Sequence, residues 1–155
     1  MAENLNYAAE GSKCSNNLDS NCDIYGRLYS WSTALTVCPS GWHLPTREEW
    51  EVMTTYIGGE STEGKMLKAT SGWNNYEGKS GNGTDNYGFS ALPGAGSYND
   101  GFGNVGSEGV WWSADEHEYF EKYAYCRGMN FASENANWID FLEKSYLLSV
   151  RCIKD

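Results

Sequence analysis

The sequence predicts an α+β fold with small, mostly antiparallel sheets. Three observations carry that prediction. Helical periodicity behind a capping box fills part of the first half of the chain, and alternating strand patterns fill its C-terminal third. No βαβ alternation links the two, so helices and strands are expected to segregate.

In chain order, residues 4 to 8 (NLNYA) and 24 to 29 (IYGRLY) read as short strands around a cysteine-bounded polar loop. Tyr25, Leu28 and Tyr29 supply the β-prone bulk, and Gly26 marks a turn or bulge. Trp31, Ala34, Leu35 and Cys38 then fall on one face of a short helix running into Pro39, which turns Cys38 inward. The stretch CPSGWHLPTREEW, residues 38 to 50, joins this helix to the next. Pro45 blocks any continuation from upstream, and Thr46 with Glu49 forms a capping box. Trp50, Met53 and Ile57 recur at helical spacing until Gly58-Gly59 ends the run. A weaker helical piece is expected from Ser61 to about Lys68, anchored by Met66 and Leu67.

From Gly72 to Gly109 the texture changes to loops, because most of the 18 glycines lie here among Asn, Asp, Ser and Tyr. Trp73, Tyr87 and Phe89 are expected to hold these loops down. So long an irregular stretch inside a compact domain is usually functional. Three strands are expected beyond it: VWWSA (110 to 114), YAYCRGM (123 to 129) and YLLSVRCI (146 to 153). In the last, Leu148, Val150 and Cys152 alternate with Ser149 and Arg151, so Cys152 faces inward as Cys38 does.

The 155 residues suit a single domain, with 7 Trp and 11 Tyr to build its core. A net charge of -10 opposes binding to nucleic acid or to an anionic membrane surface. No run approaches the roughly 20 apolar residues of a membrane helix, so insertion by this domain is not expected. Five cysteines without metal spacing point to an oxidising, extracytoplasmic location. Cys14 and Cys22 are expected to pin their loop, and Cys38 with Cys152 to tie the helix to the last strand. Cys126 is left over as a buried thiol. The chain opens at MAENLNY, already strand-like, and is expected to be the C-terminal part of a longer exported protein.

Signals of catalysis fail one by one. GESTEGK, residues 59 to 65, lacks the final Ser or Thr of a phosphate-binding loop and follows a helix rather than a strand. His43 reads as a structural hydrogen-bonder, and His117, between Glu116 and Glu118, reads as exposed. Neither histidine has a zinc-type partner, and no serine-nucleophile elbow is present. No cofactor is expected. The clusters at 82 to 86 and 99 to 104 are the only candidate donors to a structural calcium ion, and turn chemistry explains the same residues better.

Several long strings carry a resemblance: AENLNY, CDIYGRLYSW, CPSGWHLPTREEWE, GKMLKATSGW, GTDNYGFSALPG, GVWWSA and SVRCIKD. Together they resemble the Fibrobacter succinogenes major paralogous domain family over nearly the whole chain. That family is similar, more distantly, to formylglycine-generating enzymes and to C-type lectin-like domains. The resemblance implies a C-type lectin-like fold with two main helices, small sheets and a long Gly-rich loop region. It also implies a disulfide from the first helix to the last strand, which falls on the Cys38 and Cys152 already paired by phase. The sugar-binding motifs of calcium-dependent lectins are absent; Trp138-Ile139-Asp140 is a partial echo. The cysteine pair of formylglycine-generating enzymes is also unmatched, since Cys126 stands alone.

The stretch between WWSA and SVRC further resembles the variable face of proteins diversified by retroelements. Its composition suits a binding surface, with aromatic area beside adaptable polar groups. The expected function is therefore a non-catalytic binding or adhesion module of a cell-surface or phage protein, taking a protein or glycan ligand. The expected contact residues are Glu116, His117, Glu118, Tyr119, Phe120, Asn130, Asn135, Trp138, Asp140 and Phe141. The alternatives are a formylglycine-generating-type oxidase or other enzyme, and a display domain without its own ligand.

Overall fold

The computed structural model describes residues 1–99 and 101–155 and shows a mixed α+β architecture. The chain runs α1 (Asp19–Tyr25), β1 (Leu28–Tyr29), α2 (Trp31–Ala34), β2 (Trp42–His43), α3 (Arg47–Ile57) and α4 (Glu60–Leu67). Two small hairpins follow, β3 (Asn75–Tyr76) with β4 (Lys79–Ser80) and β5 (Ser97–Tyr98) with β6 (Gly101–Phe102). The long strands β7 (Glu108–Glu116), β8 (Tyr123–Asn130) and β9 (Ala136–Glu143) come next, then β10 (Leu148–Ser149) and β11 (Ile153–Lys154). The main sheet has the order β1-β10-β7-β8-β9, antiparallel except where β10 lies parallel to β7; β11 pairs with β2 in a second sheet.

Alternation along β7 divides the core. Trp111 points to a cluster with Trp50, Ile57, Leu67, Trp73, Ala91 and Met129, under the two longer helices. Trp112 points the other way, to Leu5, Tyr29, Ala34, Leu44, Ala124, Cys126, Leu148 and Val150. Each indole N–H is satisfied: Trp112 donates to the Tyr29 carbonyl and Trp111 to Asn4 Oδ1, both at 2.8 Å.

Two of the three expected helices lie where sequence placed them, the third is cut short, and α1 is a helix that sequence did not show. The capping box is present: Thr46 Oγ1 accepts from Glu49 N–H at 3.2 Å, and Glu49 Oε2 accepts from Thr46 N–H at 2.9 Å. Gly58 closes α3 in a left-handed conformation, as a glycine C-cap does. α4 covers Glu60–Leu67, so the GESTEGK stretch is mostly helix and forms no phosphate-cradling loop. The shortened helix is α2, which stops at Ala34. Thr33, Thr36 and Val37 are β-branched and weaken continuation, so Leu35 turns to solvent and Cys38 sits beyond the helix.

The short strands differ more. Residues 4 to 8 form no strand and hold single backbone bonds from Leu5 N–H to Val150 and from Arg27 N–H to Leu5, both 2.9 Å. Side chains position this segment instead: Asn4 Oδ1 also accepts from Arg151 Nε at 2.8 Å. The expected strand at 24 to 29 begins in α1, which Gly26 ends at φ 76°, packed where a Cβ would meet Asn4 and Leu5 atoms at 2.8 Å. Only Leu28 and Tyr29 pair. The expected strand at 146 to 153 is two pieces, because the chain passes from the main sheet to the second one around the buried Arg151. Tyr87 is exposed rather than an anchor, whereas Trp73 is buried. β9 lies in a stretch where no strand is read from sequence.

Both expected disulfides are present, Cys14–Cys22 and Cys38–Cys152, and Cys126 is free and buried. The two bridges are consistent with an extracytoplasmic, oxidising location. Among the described residues no helix is long and apolar enough to cross a membrane. The bridges close loops of very different length, with sequence separations of 114 and 8. Chain entropy therefore predicts a loss of about 5 kcal/mol for Cys38→Ser/Cys152→Ser and about 2.5 kcal/mol for Cys14→Ser/Cys22→Ser. Urea unfolding of the two variants checks the ranking; a larger loss from the short loop would refute it.

Candidate functional site

Strands β7 and β8 are joined by residues 117 to 122. A tight turn forms because His117 N–H donates to the Tyr123 carbonyl and Tyr123 N–H to that of Phe120, both at 3.0 Å. Tyr119 N–H donates to His117 Nδ1 at 3.1 Å, which makes Nδ1 the accepting ring nitrogen. The imidazole stacks on Tyr125 (5.3 Å between centroids, 20° between planes) and lies 4.6 Å from Phe141 and 5.3 Å from Phe120. His117 is thus only 8% exposed, which corrects the expectation of an exposed residue. Its acidic neighbours suggest solvent, but rings from three elements close over it.

Above this floor, three aromatic side chains remain in water: Tyr119 at 79%, Phe120 at 53% and Phe141 at 56% exposure. Phe141 stands on β9 and packs edge-on to Tyr123 of β8 at 5.9 Å. The surface continues along the same face toward α3. Arg47, the first residue of that helix, lays its guanidinium 4.5 Å from the Tyr125 ring and 5.1 Å from that of Trp138. Asp115 fixes the helix start by accepting from Arg47 N–H at 2.6 Å. Trp138 is half-buried and donates to Glu51 Oε1 at 2.7 Å, so it joins helix to sheet as well as adding apolar area.

The structure therefore gathers Glu116, His117, Glu118, Tyr119, Phe120 and Phe141 around the turn, with Trp138 and Asp140 farther along β9. Glu116 pairs with Lys144, and Lys122 with Glu143 at 2.6 Å. Glu118 and Asp140 are exposed and have no ion-pair partner among the described residues. Asn130 and Asn135 are not part of this surface. Asn130 ends β8 and caps the next turn through Ala132 N–H at 2.9 Å, and the backbone of Asn135 packs on Gly64 of α4. Sequence reading missed Arg47 and Tyr125. Tyr125 has a signal in the alternation of YAYCRGM, but Arg47 meets it only through the tertiary fold.

Among the described residues no cluster of three or more His, Cys, Asp or Glu side chains is placed to hold a metal ion. Asp85, in the first candidate calcium stretch, is occupied by Ser90, whose N–H it accepts at 2.7 Å. The second stretch includes Asp100, which lies outside the described residues. Cys126 is fully buried, its thiol facing the Ile139 carbonyl at 3.5 Å, and burial pushes its pKa far up. His43 is the structural hydrogen-bonder expected: Nδ1 meets Asp155 at 2.6 Å and Nε2 meets Glu49 at 2.9 Å.

Among proteins grouped by sequence, the family described as Fibrobacter succinogenes major domain matches residues 1–154. No curated protein and no solved structure matches the chain.

The contacts to Asp155 and then Glu49 raise the His43 pKa above its ordinary value. The folded protein holds this proton more tightly than the unfolded chain. The pairing thus contributes fully below about pH 6.5 and is lost as pH rises through the raised value. His43→Gln is expected to reduce the fall of thermal midpoint across that window, modestly because the site is exposed. Midpoints measured at several pH values check this; parallel curves for parent and variant would show that the pairs contribute nothing.

Proposed function

The chain belongs to the Fibrobacter succinogenes major domain family, and on that premise we propose a non-catalytic, protein-binding module of C-type lectin-like fold, displayed on a cell surface or phage particle. The observation that carries this reading is the set of exposed rings, Tyr119, Phe120 and Phe141, standing on the buried His117 and Tyr125. Leaving three large aromatics in water costs solubility and is usually retained for a partner. Mounting them on paired strands and a tight turn limits the ordering cost of binding.

The C-type lectin-like part rests on α3 and α4 packed on one sheet face, the long loop region before β7, and the Cys38–Cys152 bridge closing the chain. The non-catalytic part rests on Cys126, buried and held protonated, which leaves an oxidase without an accessible thiol. A protein ligand is favoured over a glycan by charge. Glu118 and Asp140, exposed and without an ion-pair partner among the described residues, border the aromatic area, and a basic protein surface complements them where a neutral sugar gains little. The surface also suits a variable protein of a diversity-generating retroelement, because Tyr119, Phe120 and Phe141 add little to the buried core and are replaceable.

The test is an array of purified proteins and glycans probed with the parent and with Tyr119→Ser/Phe120→Ser/Phe141→Ser. The parent is expected to retain proteins with basic surfaces. The variant is expected to lose at least about thirtyfold in affinity while keeping its secondary structure by circular dichroism. Tyr119→Ser alone, at the most exposed ring, is expected to weaken binding while melting like the parent. Equal binding by both proteins, or retention of glycans alone, overturns the reading.

A further inference from the structure

A second site lies at the other end of the sheet, away from the aromatic surface. Three elements wall a cavity of about 410 Å³: α4, the β3–β4 hairpin and the turn from β8 to β9. That volume falls in the usual range of small-molecule sites, about 300 to 1,000 Å³. Lys65 and Lys68 reach it from the helix and Lys79 from the hairpin, in a chain whose net charge is -10. Among the described residues the only carboxylate on its lining is Glu134, 3.6 Å from Lys65 and largely exposed.

Lys68 is the unusual member. It is 1% exposed, yet among the described residues no carboxylate comes within ion-pair distance of it. Its ammonium donates to the carbonyls of Ser133 at 2.8 Å and Asn130 at 3.1 Å and lies 5.0 Å from the Trp73 ring. Carbonyl dipoles hold an ammonium in place but do not neutralise it, and buried charges are normally paired. Burial, and then the neighbouring Lys65, lower its pKa to about 8. The pocket therefore carries excess positive charge that a bound anion would relieve. Next to the cations, Tyr76 and Phe131 meet edge to face at 5.7 Å, and Tyr76 is exposed. They offer an apolar wall beside the charged one. Gly81 lets the hairpin pack closely on the wall, since a Cβ there would lie 2.2 Å from the Asn74 carbonyl oxygen and 2.8 Å from that of Phe131.

We infer that this cavity binds a small organic oxyanion, a carboxylate carried on a compact ring, with the anionic group between Lys65, Lys68 and Lys79 and the ring against Tyr76 and Phe131. The inference is independent of the aromatic surface, because the two sites share no residue.

The experiment is calorimetric titration of the whole chain, at fixed ionic strength and without phosphate, with sodium glucuronate, sodium sulfate and glucose. Glucuronate is expected to bind saturably, sulfate more weakly, and glucose not at all. Lys65→Ala and Lys79→Ala, both solvent-accessible positions, are expected to melt like the parent and to weaken glucuronate about tenfold each, the effect of losing one charge-assisted contact. Tyr76→Ala is expected to weaken glucuronate but not sulfate. The Tyr119, Phe120 and Phe141 variant is expected to bind glucuronate like the parent, which separates this site from the protein-binding surface. The inference is overturned if neither anion saturates, if glucose binds as well as glucuronate, or if both lysine variants bind like the parent. Sulfate binding as tightly as glucuronate, unchanged by Tyr76→Ala, would mean an adventitious ion only.

Discussion

A buried arginine sets the arrangement of helices on sheet. Arg127 stands in the middle of β8 with no exposed surface, and a guanidinium there cannot shed its charge. It must be paired, and its partners come from both longer helices. Glu63 of α4, equally buried, takes one nitrogen; Glu60 takes another at 2.9 Å; Thr54 of α3 accepts at 3.3 Å. Trp138 of β9 covers the group from 5.1 Å. Such a pair adds little net stability, but either partner alone would leave an uncompensated charge inside. The helices are thereby held to one stretch of one sheet face.

That placement divides the rest of the face. Near Arg127 the helices cover Trp111, Met129 and Ala136 and complete a core. Toward the β7–β8 turn only the start of α3 reaches the face, through Arg47 over Tyr125, and His117 and the exposed rings lie beyond it. At the opposite end, the β8–β9 turn is drawn onto α4 by Lys68 and by the contact of Gly64 with the Asn135 backbone. The lysine cavity opens there. Two surfaces of different chemistry, aromatic with acidic borders and cationic, thus lie at the two ends of β8 and β9.

The sequence showed the parts governed by local rules. Thr46 and Glu49 mark a helix start because both capping bonds lie within one turn. VWWSA and YAYCRGM were legible as short, mostly apolar runs because those strands are buried on both faces or nearly so. β9 was not legible, for a physical reason. It is the edge strand, its residues are mostly half-buried or exposed, and a register shift between Ala124 and Cys126 on its partner breaks the phase. The inward phase of Cys38 identified its partner although α2 ends before it, since the disulfide needs only the cysteine's position and not the helix. His117 meets Phe141 across 24 residues of sequence, Arg47 meets Tyr125 across 78, and Lys65 and Lys79 line one cavity across 14, all through tertiary packing that no local pattern announces.

The proposed binding surface depends on β9 being a rigid strand to its end, since Phe141 and Trp138 would form a platform for a partner only if that strand is ordered. Amide hydrogen exchange across residues 136 to 143 tests this most directly. Protection of the β9 amides that face β8, including those beyond the register shift, at a level approaching that of β7 and β8 is the predicted result. Exchange of residues 140 to 143 at loop rates, with β7 and β8 still protected, would contradict it and place Phe141 on a mobile segment.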